Sequence, residues 1–154
     1  MERRLLQGLG VGLDYYKAQF MIEISNDKNR LDVNMIHGYL SNDSYWAKGR
    51  SLGTVQASID NSLCFGVYLT DKQIGFARVV SDFSVFAWIM DVFIIEEQRG
   101  KGYSKQLMKN IMAYPSLQQL QRWGLGTHDA HGLYQQFGFK PLRRPDRMME
   151  LATD

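Results

Sequence analysis

The densest hydrophobic pattern lies in the middle of the chain. Three apolar segments follow one another there, Leu63–Leu69, residues 74–80 and residues 85–95, with short polar turns between them. Segments of this length, bounded by turn residues, are typical of strands. The third segment is apolar except for Asp91, which is typical of a central strand covered on both faces. This part of the chain therefore predicts three consecutive strands and one acidic side chain that needs a role.

Elsewhere the hydrophobic residues recur at helical spacing. Residues 102–113 carry one apolar stripe opposite a polar face. The same spacing predicts helices over residues 33–40, behind the capping side chain of Asp32, and over residues 54–61 and 128–137. Helices before and after a run of strands indicate an α/β (α+β) domain in which helices cover both faces of the sheet.

Short apolar segments complete the pattern at both ends of the chain. Residues 20–25 and 121–125 predict a first and a later strand, and residues 139–142 and 148–151 predict two closing strands. Residues 45–48 predict one helical turn, closed by a glycine. We therefore expect about six or seven strands in the sheet.

Length and composition place the chain among single-domain globular proteins. It has 154 residues, of which 45% are hydrophobic and 22% charged, and this composition excludes disorder and coiled coil. The three glycines among residues 8–12 weaken any helix there, so residues 1–15 are expected to form a loosely ordered extension of a single domain over residues 16–154. The net charge of +2 gives no general attraction to nucleic acid or to a membrane surface, and neither is expected as a partner.

Cysteine and histidine content argues against structural cross-links and metal. Cys64 is the single cysteine, so it cannot form an internal disulfide, and a reducing, cytoplasmic compartment is expected. His128 and His131 can share a helix face, but no second cluster supplies further ligands. We therefore expect no metal.

The candidate chemistry lies where the third central strand passes into the helix over residues 102–113. The connecting loop contains two glycines, Gly100 and Gly102, and two cations, Arg99 and Lys101. Glycines allow close backbone approach, and a helix N-terminus presents unpaired N–H groups and partial positive charge, so this loop suits a phosphate or pyrophosphate. The alternative is a solvated glycine turn with incidental charge. The P-loop and dinucleotide-binding signatures are both missing from the sequence.

Two motifs resemble those of the GNAT superfamily, the acyl-CoA-dependent N-acyltransferases. The first is the loop, which is similar to the family pattern Arg/Gln-x-x-Gly-x-Gly/Ala and reads here Arg99-Gly100-Lys101-Gly102-Tyr103-Ser104. Serine stands at the last position, where the family usually has glycine or alanine. The second resembles the family's Ala-x-x-Leu-Tyr-x-x-x-Gly-Phe segment, and it runs from Ala130 through Leu133 and Tyr134 to Gly138 and Phe139. The resemblance covers about residues 20–151 and implies a GNAT fold with a mixed, mostly antiparallel sheet.

The resemblance also implies acetyl-CoA as the acyl donor. In the family the loop amides hold the CoA pyrophosphate, which assigns the residues from Arg99 to Ser104 to that role. Backbone groups of Val92, Phe93 and Ile94 would pair with the pantetheine arm. Tyr134 is the expected general acid toward the departing thiolate, although core packing is its alternative role. Asp91 is the expected base or amine-orienting group, and a satisfied buried carboxylate is the equal alternative.

Acceptor specificity is expected to come from the first helices and the loop between them. His37, Tyr45 and Trp46 are the candidate acceptor-binding residues, with core packing as the alternative for the aromatic pair. Asp82 and Asp129 could add negative charge near an amine, although turn and capping roles explain them equally well.

The sequence thus favours an N-acetyltransferase that acts on a primary amine of a small molecule by direct transfer in a ternary complex. Two alternatives stay open: a catalytically silent acyl-CoA-binding or interaction domain, and a protein or peptide N-acetyltransferase. A homodimer also stays open.

Overall fold

A five-stranded sheet forms the centre of the protein, for which a computed structural model describes residues 21–153. Its strands lie in chain order, and β1 to β4 pair antiparallel while β5 lies parallel to β4. The strands are β1 (Ile22–Ser25), β2 (Leu63–Leu69), β3 (Lys72–Ser81), β4 (Phe86–Ile94) and β5 (Arg122–Leu125). The predicted α/β (α+β) class and mixed, mostly antiparallel sheet are confirmed.

Within residues 21–153, four α-helices accompany the sheet: α1 (Val33–Gly38), α2 (Leu52–Asp60), α3 (Tyr103–Met112) and α4 (His131–Gln135). Side-chain caps begin the first two, since Asp32 accepts the N–H of Met35 at 2.9 Å and Ser51 accepts the N–H of Thr54 at 3.1 Å. A π-helical turn, Tyr39–Asp43, continues α1, and the described part of the chain also has four 3₁₀ turns, which span Lys28–Arg30, Glu96–Gln98, Pro115–Leu117 and Pro145–Arg147. No helix within residues 21–153 is both long and apolar enough to cross a membrane.

The sheet buries side chains on both of its faces. On one face, α3 packs Leu107, Met108 and Ile111 against strand residues such as Val67 and Val79, and all five are fully buried. On the other face a second cluster lies beneath α1 and α2, and it contains Ile36, Leu40, Val55, Ile59, Cys64, Phe76 and Phe93. Each fully buried large aliphatic side chain stabilises the fold by about 1.5–3 kcal/mol.

An irregularity in β4 positions the candidate site. Phe76 of β3 pairs with Phe93, but Arg78 pairs with Met90, so β4 carries one extra residue between these pairs. Asp91 lies in this β-bulge with a φ of 53°, in the left-handed region that side chains rarely adopt. Beyond the bulge β4 pairs with β3 alone, because its pairing with β5 ends at Ile89. The two parallel strands therefore separate at the bulge.

The predicted closing strands are absent from the described residues. The segments 139–142 and 148–151 are irregular, and the sheet ends at β5, so it has five strands where about six or seven were expected. Pro141 and Pro145 lack an N–H to donate to a ladder, which explains why this stretch does not pair as a hairpin. Residues 139–142 instead line a cavity of about 290 Å³ against β5.

Two further expectations concern residues 45–48 and residues 1–15. Residues 45–48 do not form a helical turn; they belong to bends and a turn in which Ala47 donates its N–H to Ser44 Oγ and Gly49 has a φ of 75°. The expected loose N-terminal extension over residues 1–15 lies outside the described residues.

Candidate active site

A cleft of about 830 Å³ opens where β4 and β5 separate. Its floor comes from β4 and its walls from the loop before α2, the turn after β5 and α4. Its lining residues are Tyr45, Trp46, Arg50, Trp88, Ile89, Met90, Asp91, Val92, Gly126, Thr127, His128, Tyr134 and Glu150. Five of the predicted site residues, Asp91, Val92, Tyr134, Tyr45 and Trp46, thus meet in one concave space.

Asp91 is held by three side chains. Its Oδ1 accepts hydrogen bonds from Trp46 Nε1 at 3.0 Å and Arg50 Nη1 at 3.2 Å. Its Oδ2 accepts from Arg50 Nη1 at 3.1 Å and from Arg78 Nε at 2.5 Å. The Asp91 side chain is fully buried, whereas that of Arg50 is 20% exposed. A buried carboxylate with this many donors is fully paired.

This pairing argues against the expected role of Asp91 as a base. A proton acceptor needs a lone pair directed at the substrate, but both carboxylate oxygens already accept two hydrogen bonds each, mostly from guanidinium groups. The geometry favours the alternative of a satisfied buried carboxylate. Asp91 then serves to hold Trp46 and Arg50 in the cleft wall.

Tyr134 reaches the cleft from α4. Its side chain is buried, with 8% of the residue exposed, and burial raises the pKa of its phenol to about 12. Its ring packs against Phe139 with the centroids 6.1 Å apart. A phenol with this pKa keeps its proton throughout the neutral range, as a proton donor must.

The aromatic part of the predicted acceptor site lines the cleft. Tyr45 and Trp46 pack edge to face with their centroids 5.0 Å apart, and the Tyr45 hydroxyl accepts the backbone N–H of His128 at 2.8 Å. This contact joins the loop before α2 to the turn after β5. Tyr45 is 53% exposed and Trp46 37% exposed, so neither belongs to the core.

The other three predicted acceptor residues do not line the cleft. His37 lies behind the wall, where its Nε2 is 3.1 Å from the backbone oxygen of Arg50. Asp82 closes the turn between β3 and β4, accepting the N–H groups of Ser84, Val85 and Phe86 at 2.8–3.1 Å, and these hydrogen bonds lower the pKa of its carboxyl. Asp129 is exposed beside the cleft. The geometry of Asp82 therefore favours its alternative role, that of a turn residue.

The glycine loop before α3 presents its backbone outward. Gly100 and Gly102 have φ values of 75° and 79°, and a Cβ built on either would meet no atom within 4 Å. The first N–H group of α3 with an intrahelical acceptor belongs to Gln106, which donates to Gly102 at 3.1 Å, and no side chain of residues 21–153 caps the helix. Within residues 21–153 this N-terminus therefore has N–H groups without a partner, beside glycines whose Cβ positions are open, as an anion site requires.

The two cations of the loop bind neighbouring residues. Arg99 donates from Nε to the Ile94 carbonyl at 3.0 Å and from Nη2 to the Tyr39 hydroxyl at 2.7 Å. Lys101 donates from Nζ to Gln98 Oε1 at 2.7 Å. Tyr103 is buried, so only its backbone faces the loop, and Ser104 is partly exposed. Arg99 thus connects the end of β4 to the loop.

Several cleft residues carry no sequence signal of their own. Arg50, Trp88 and Glu150 line the cleft, but each is an isolated residue without a motif, and His128 drew notice only as part of a possible metal-binding pair with His131. The polar composition of the loop before α2 gives no indication that Arg50 pairs with a carboxylate 41 residues later in the chain. The lone thiol lies elsewhere: Cys64 is buried beneath α2, and burial raises its pKa to about 11.

Comparison with known proteins defines the class. The family model of the acetyltransferase (GNAT) domain matches residues 60–141. A crystal structure from Xanthomonas campestris pv. campestris, assigned to GNAT acetyltransferases, is 48% identical, covers 86% of this chain and 94% of its own, and has a TM-score of 0.85. A protein of Gibberella zeae named as an acetyltransferase is 24% identical over 81% of this chain and 82% of its own. The chain belongs to the GNAT family of acetyltransferases.

A more distant structure shares the fold alone. A Clostridium acetobutylicum protein, described as an acetyltransferase with acetyl-CoA, is 11% identical, covers 86% of this chain and 96% of its own, and has a TM-score of 0.57. Members of the GNAT family use acetyl-CoA, and the chain is accordingly placed among acyltransferases.

Proposed function

We propose that the protein transfers an acetyl group from acetyl-CoA to a primary amine of a small molecule by direct attack in a ternary complex. The observation that carries the proposal is that β4 separates from β5. The gap between the two strands lies between the glycine loop and the cleft that contains Tyr134. Acetyl-CoA would supply the acetyl group as a thioester, and the products would be an amide and the CoA thiol.

The described residues fit an acyl-CoA. Gly100 and Gly102 leave open space where a phosphate would approach, and the N-terminus of α3 offers unpaired N–H groups there. Val92, Phe93 and Ile94 lie beyond the last pair of β4 with β5, so backbone groups on that side have no strand partner among residues 21–153. Apart from the Ile94 carbonyl, which already accepts Arg99 Nε, they would be satisfied by pairing with the amide groups of a pantetheine arm.

The remaining roles fall to side chains around the cleft. The buried, protonated phenol of Tyr134 is proposed to donate its proton to the departing sulfur. Tyr45, Trp46 and Trp88 would exclude water from one side of the acceptor. Because Asp91 is fully paired, we assign removal of the amine proton to water in the cleft.

A cytoplasmic setting is part of the proposal. The single cysteine is a buried free thiol with a raised pKa, and it is suited to a reducing compartment. The same burial keeps Cys64 out of a mechanism that passes the acetyl group directly from donor to amine.

The test is release of CoA thiol from acetyl-CoA across a panel of amines, amino acids, amino sugars and peptides, with acetyl-CoA binding measured in parallel by calorimetry. We expect binding of acetyl-CoA and thiol release that depends on a small amine. Binding without any amine-dependent release would indicate a silent acyl-CoA-binding domain. Release with peptides alone would indicate a peptide acetyltransferase.

A further inference from the structure

The charges beneath the cleft do not balance. Arg50 and Arg78 share the single carboxylate of Asp91, which leaves this buried cluster with a formal charge of +1. Burying an unbalanced charge is costly unless a counter-charge or solvent reaches it. Glu150 also lines the cleft, but no ion pair joins it to Arg50 among the described residues.

The two arginines differ in how many of their side-chain nitrogens have a hydrogen-bond partner. Arg78 is 9% exposed in its side chain and uses all three of its nitrogens, on Asp91, Ser62 Oγ at 3.2 Å and Met90 Sδ at 3.3 Å. Arg50 is 20% exposed and uses Nη1 alone, on Asp91. Within residues 21–153, Nε and Nη2 of Arg50 have no hydrogen-bond partner.

Arg50 is also held in place. Asp91 fixes its Nη1, and His37 contacts its backbone oxygen at 3.1 Å. A guanidinium positioned in this way loses little entropy when it binds a second group, and its Nε and Nη2 donors match the spacing of two oxygens of an oxyanion.

We propose that Arg50 binds an anionic group of the acceptor, so that the acceptor is an amine that also carries a carboxylate or a phosphate. The proposal rests on the acetyltransferase function proposed above and specifies its substrate class. An amine with no anionic group would leave Nε and Nη2 of Arg50 without a partner and would bring its own positive charge near the excess charge of the Arg50–Asp91–Arg78 cluster, so it would bind weakly.

The experiment compares matched amines that differ only in the anionic group. The probes are L-phenylalanine with phenethylamine, L-leucine with isoamylamine, and D-glucosamine 6-phosphate with D-glucosamine. Calorimetry measures the binding of each to the protein saturated with CoA. In at least one pair we expect the member with the anionic group to bind about tenfold or more tightly than the member without it, as a charged bidentate hydrogen-bonded pair provides. The amino acid and phosphate pairs distinguish the carboxylate from the phosphate.

Variants then assign the preference to Arg50. Arg50→Met should abolish the difference between the paired amines, and Arg50→Lys, which keeps the charge but loses the planar donor pair, should retain part of it. In both variants Asp91 keeps its bonds to Arg78 and Trp46, so the fold is expected to persist, and circular dichroism checks it. Arg143→Met, which removes an exposed cation outside the cleft, is the control and should change nothing.

Any of four outcomes overturns the inference. Equal affinities within every pair would do so without any variant. A preference for the anionic amine that survives in Arg50→Met would place the anion elsewhere. If Arg50→Met lost acetyl-CoA affinity as strongly as it lost affinity for the anionic amine, Arg50 would be a donor-binding residue. The proposed function is judged separately by thiol release. Release only with amines that lack an anionic group keeps the function and is the fourth outcome that rejects the inference. Arg50-dependent binding of an anionic amine without thiol release keeps the inference and rejects the proposed function.

Discussion

At the scale of single residues, Tyr134 combines burial with access to the cleft. Burial raises the pKa of its phenol to about 12, above the ordinary value of 10, because the phenolate would lose its hydration. The protonated form is therefore present at every pH below about 12. A phenol that serves as a proton donor in this site does not become inactive in the mildly alkaline range.

Substitution and pH together test that role. Tyr134→Phe should lower kcat about 100-fold or more while leaving acetyl-CoA affinity nearly unchanged, because only the proton donor is lost. In the wild type, kcat should show no decline between pH 8 and 10 from this group. The control is Tyr114→Phe, whose hydroxyl accepts a hydrogen bond from Asn26 at 2.8 Å and lies outside the cleft. A decline with a midpoint near pH 10 that disappears in Tyr134→Phe would contradict the shifted pKa.

At the scale of elements, the bulge in β4 couples sheet geometry to the cleft. A residue other than glycine held at positive φ costs about 1–3 kcal/mol, and here that residue is Asp91, at 53°. Its four accepted hydrogen bonds stabilise the strained conformation. The bulge directs the Asp91 carboxylate toward Trp46 and Arg50, at the point where β4 and β5 separate.

Removing that charge should destabilise the fold. Asp91→Asn leaves Arg50 and Arg78 without their counter-charge, and breaking a buried pair in this way costs about 3–5 kcal/mol. Asp129→Asn, on an exposed side chain beside the cleft, should change stability by no more than about 0.5 kcal/mol. Urea unfolding followed by circular dichroism measures both. Equal stabilities for Asp91→Asn and wild type would show that the cluster does not support the bulge.

A strand whose apolar segment is bounded by polar turns can be predicted from the local sequence, whereas a strand that depends on the presence of a pairing strand cannot. The prediction for β2, Leu63–Leu69, matches the structure because seven apolar residues lie between polar turns. The segments 139–142 and 148–151 also contain apolar residues, but strand formation depends on a pairing partner that local pattern does not specify. Pro141 in the first segment and Pro145 between the two were the available signal against pairing.

The same distinction holds for the site. The glycine loop and Tyr134 lie in contiguous motifs, so their neighbourhood could be predicted from the sequence. The pairing of Asp91 with Arg50 and Arg78 joins residues 41 and 13 positions apart, and neither arginine stands in a motif. Without that contact, an acid in an apolar strand is equally compatible with a base or amine-orienting group and with a satisfied buried carboxylate, the two alternatives that the sequence left open for Asp91.

At the scale of the whole molecule, the sheet joins two apolar clusters into one structure. Strand residues such as Val67 and Phe76 belong to different clusters on opposite faces, and the candidate donor site touches β4 and α3. A ligand bound there should stabilise the entire domain, because a domain of this size unfolds cooperatively. At a concentration of 100 times its Kd, acetyl-CoA would add about 2.7 kcal/mol to the free energy of unfolding.

Gly102→Ala separates the contribution of the glycine loop from general stability. A side chain at its φ of 79° costs about 1–2 kcal/mol, and its Cβ would occupy the open space proposed for the pyrophosphate. Gly138→Ala imposes comparable strain, at a φ of 88°, just after α4 and away from the loop. Thermal unfolding with and without acetyl-CoA compares the two variants.

Both variants should unfold at lower temperature than wild type without ligand, because both introduce backbone strain into the same cooperative unit. With acetyl-CoA at a fixed concentration, Gly138→Ala should regain the full ligand-induced increase in Tm, whereas Gly102→Ala should regain only a small part of it. An equal increase in the two variants would mean that the pyrophosphate does not approach the backbone at Gly102. The unpaired N–H groups of α3 would then need another explanation.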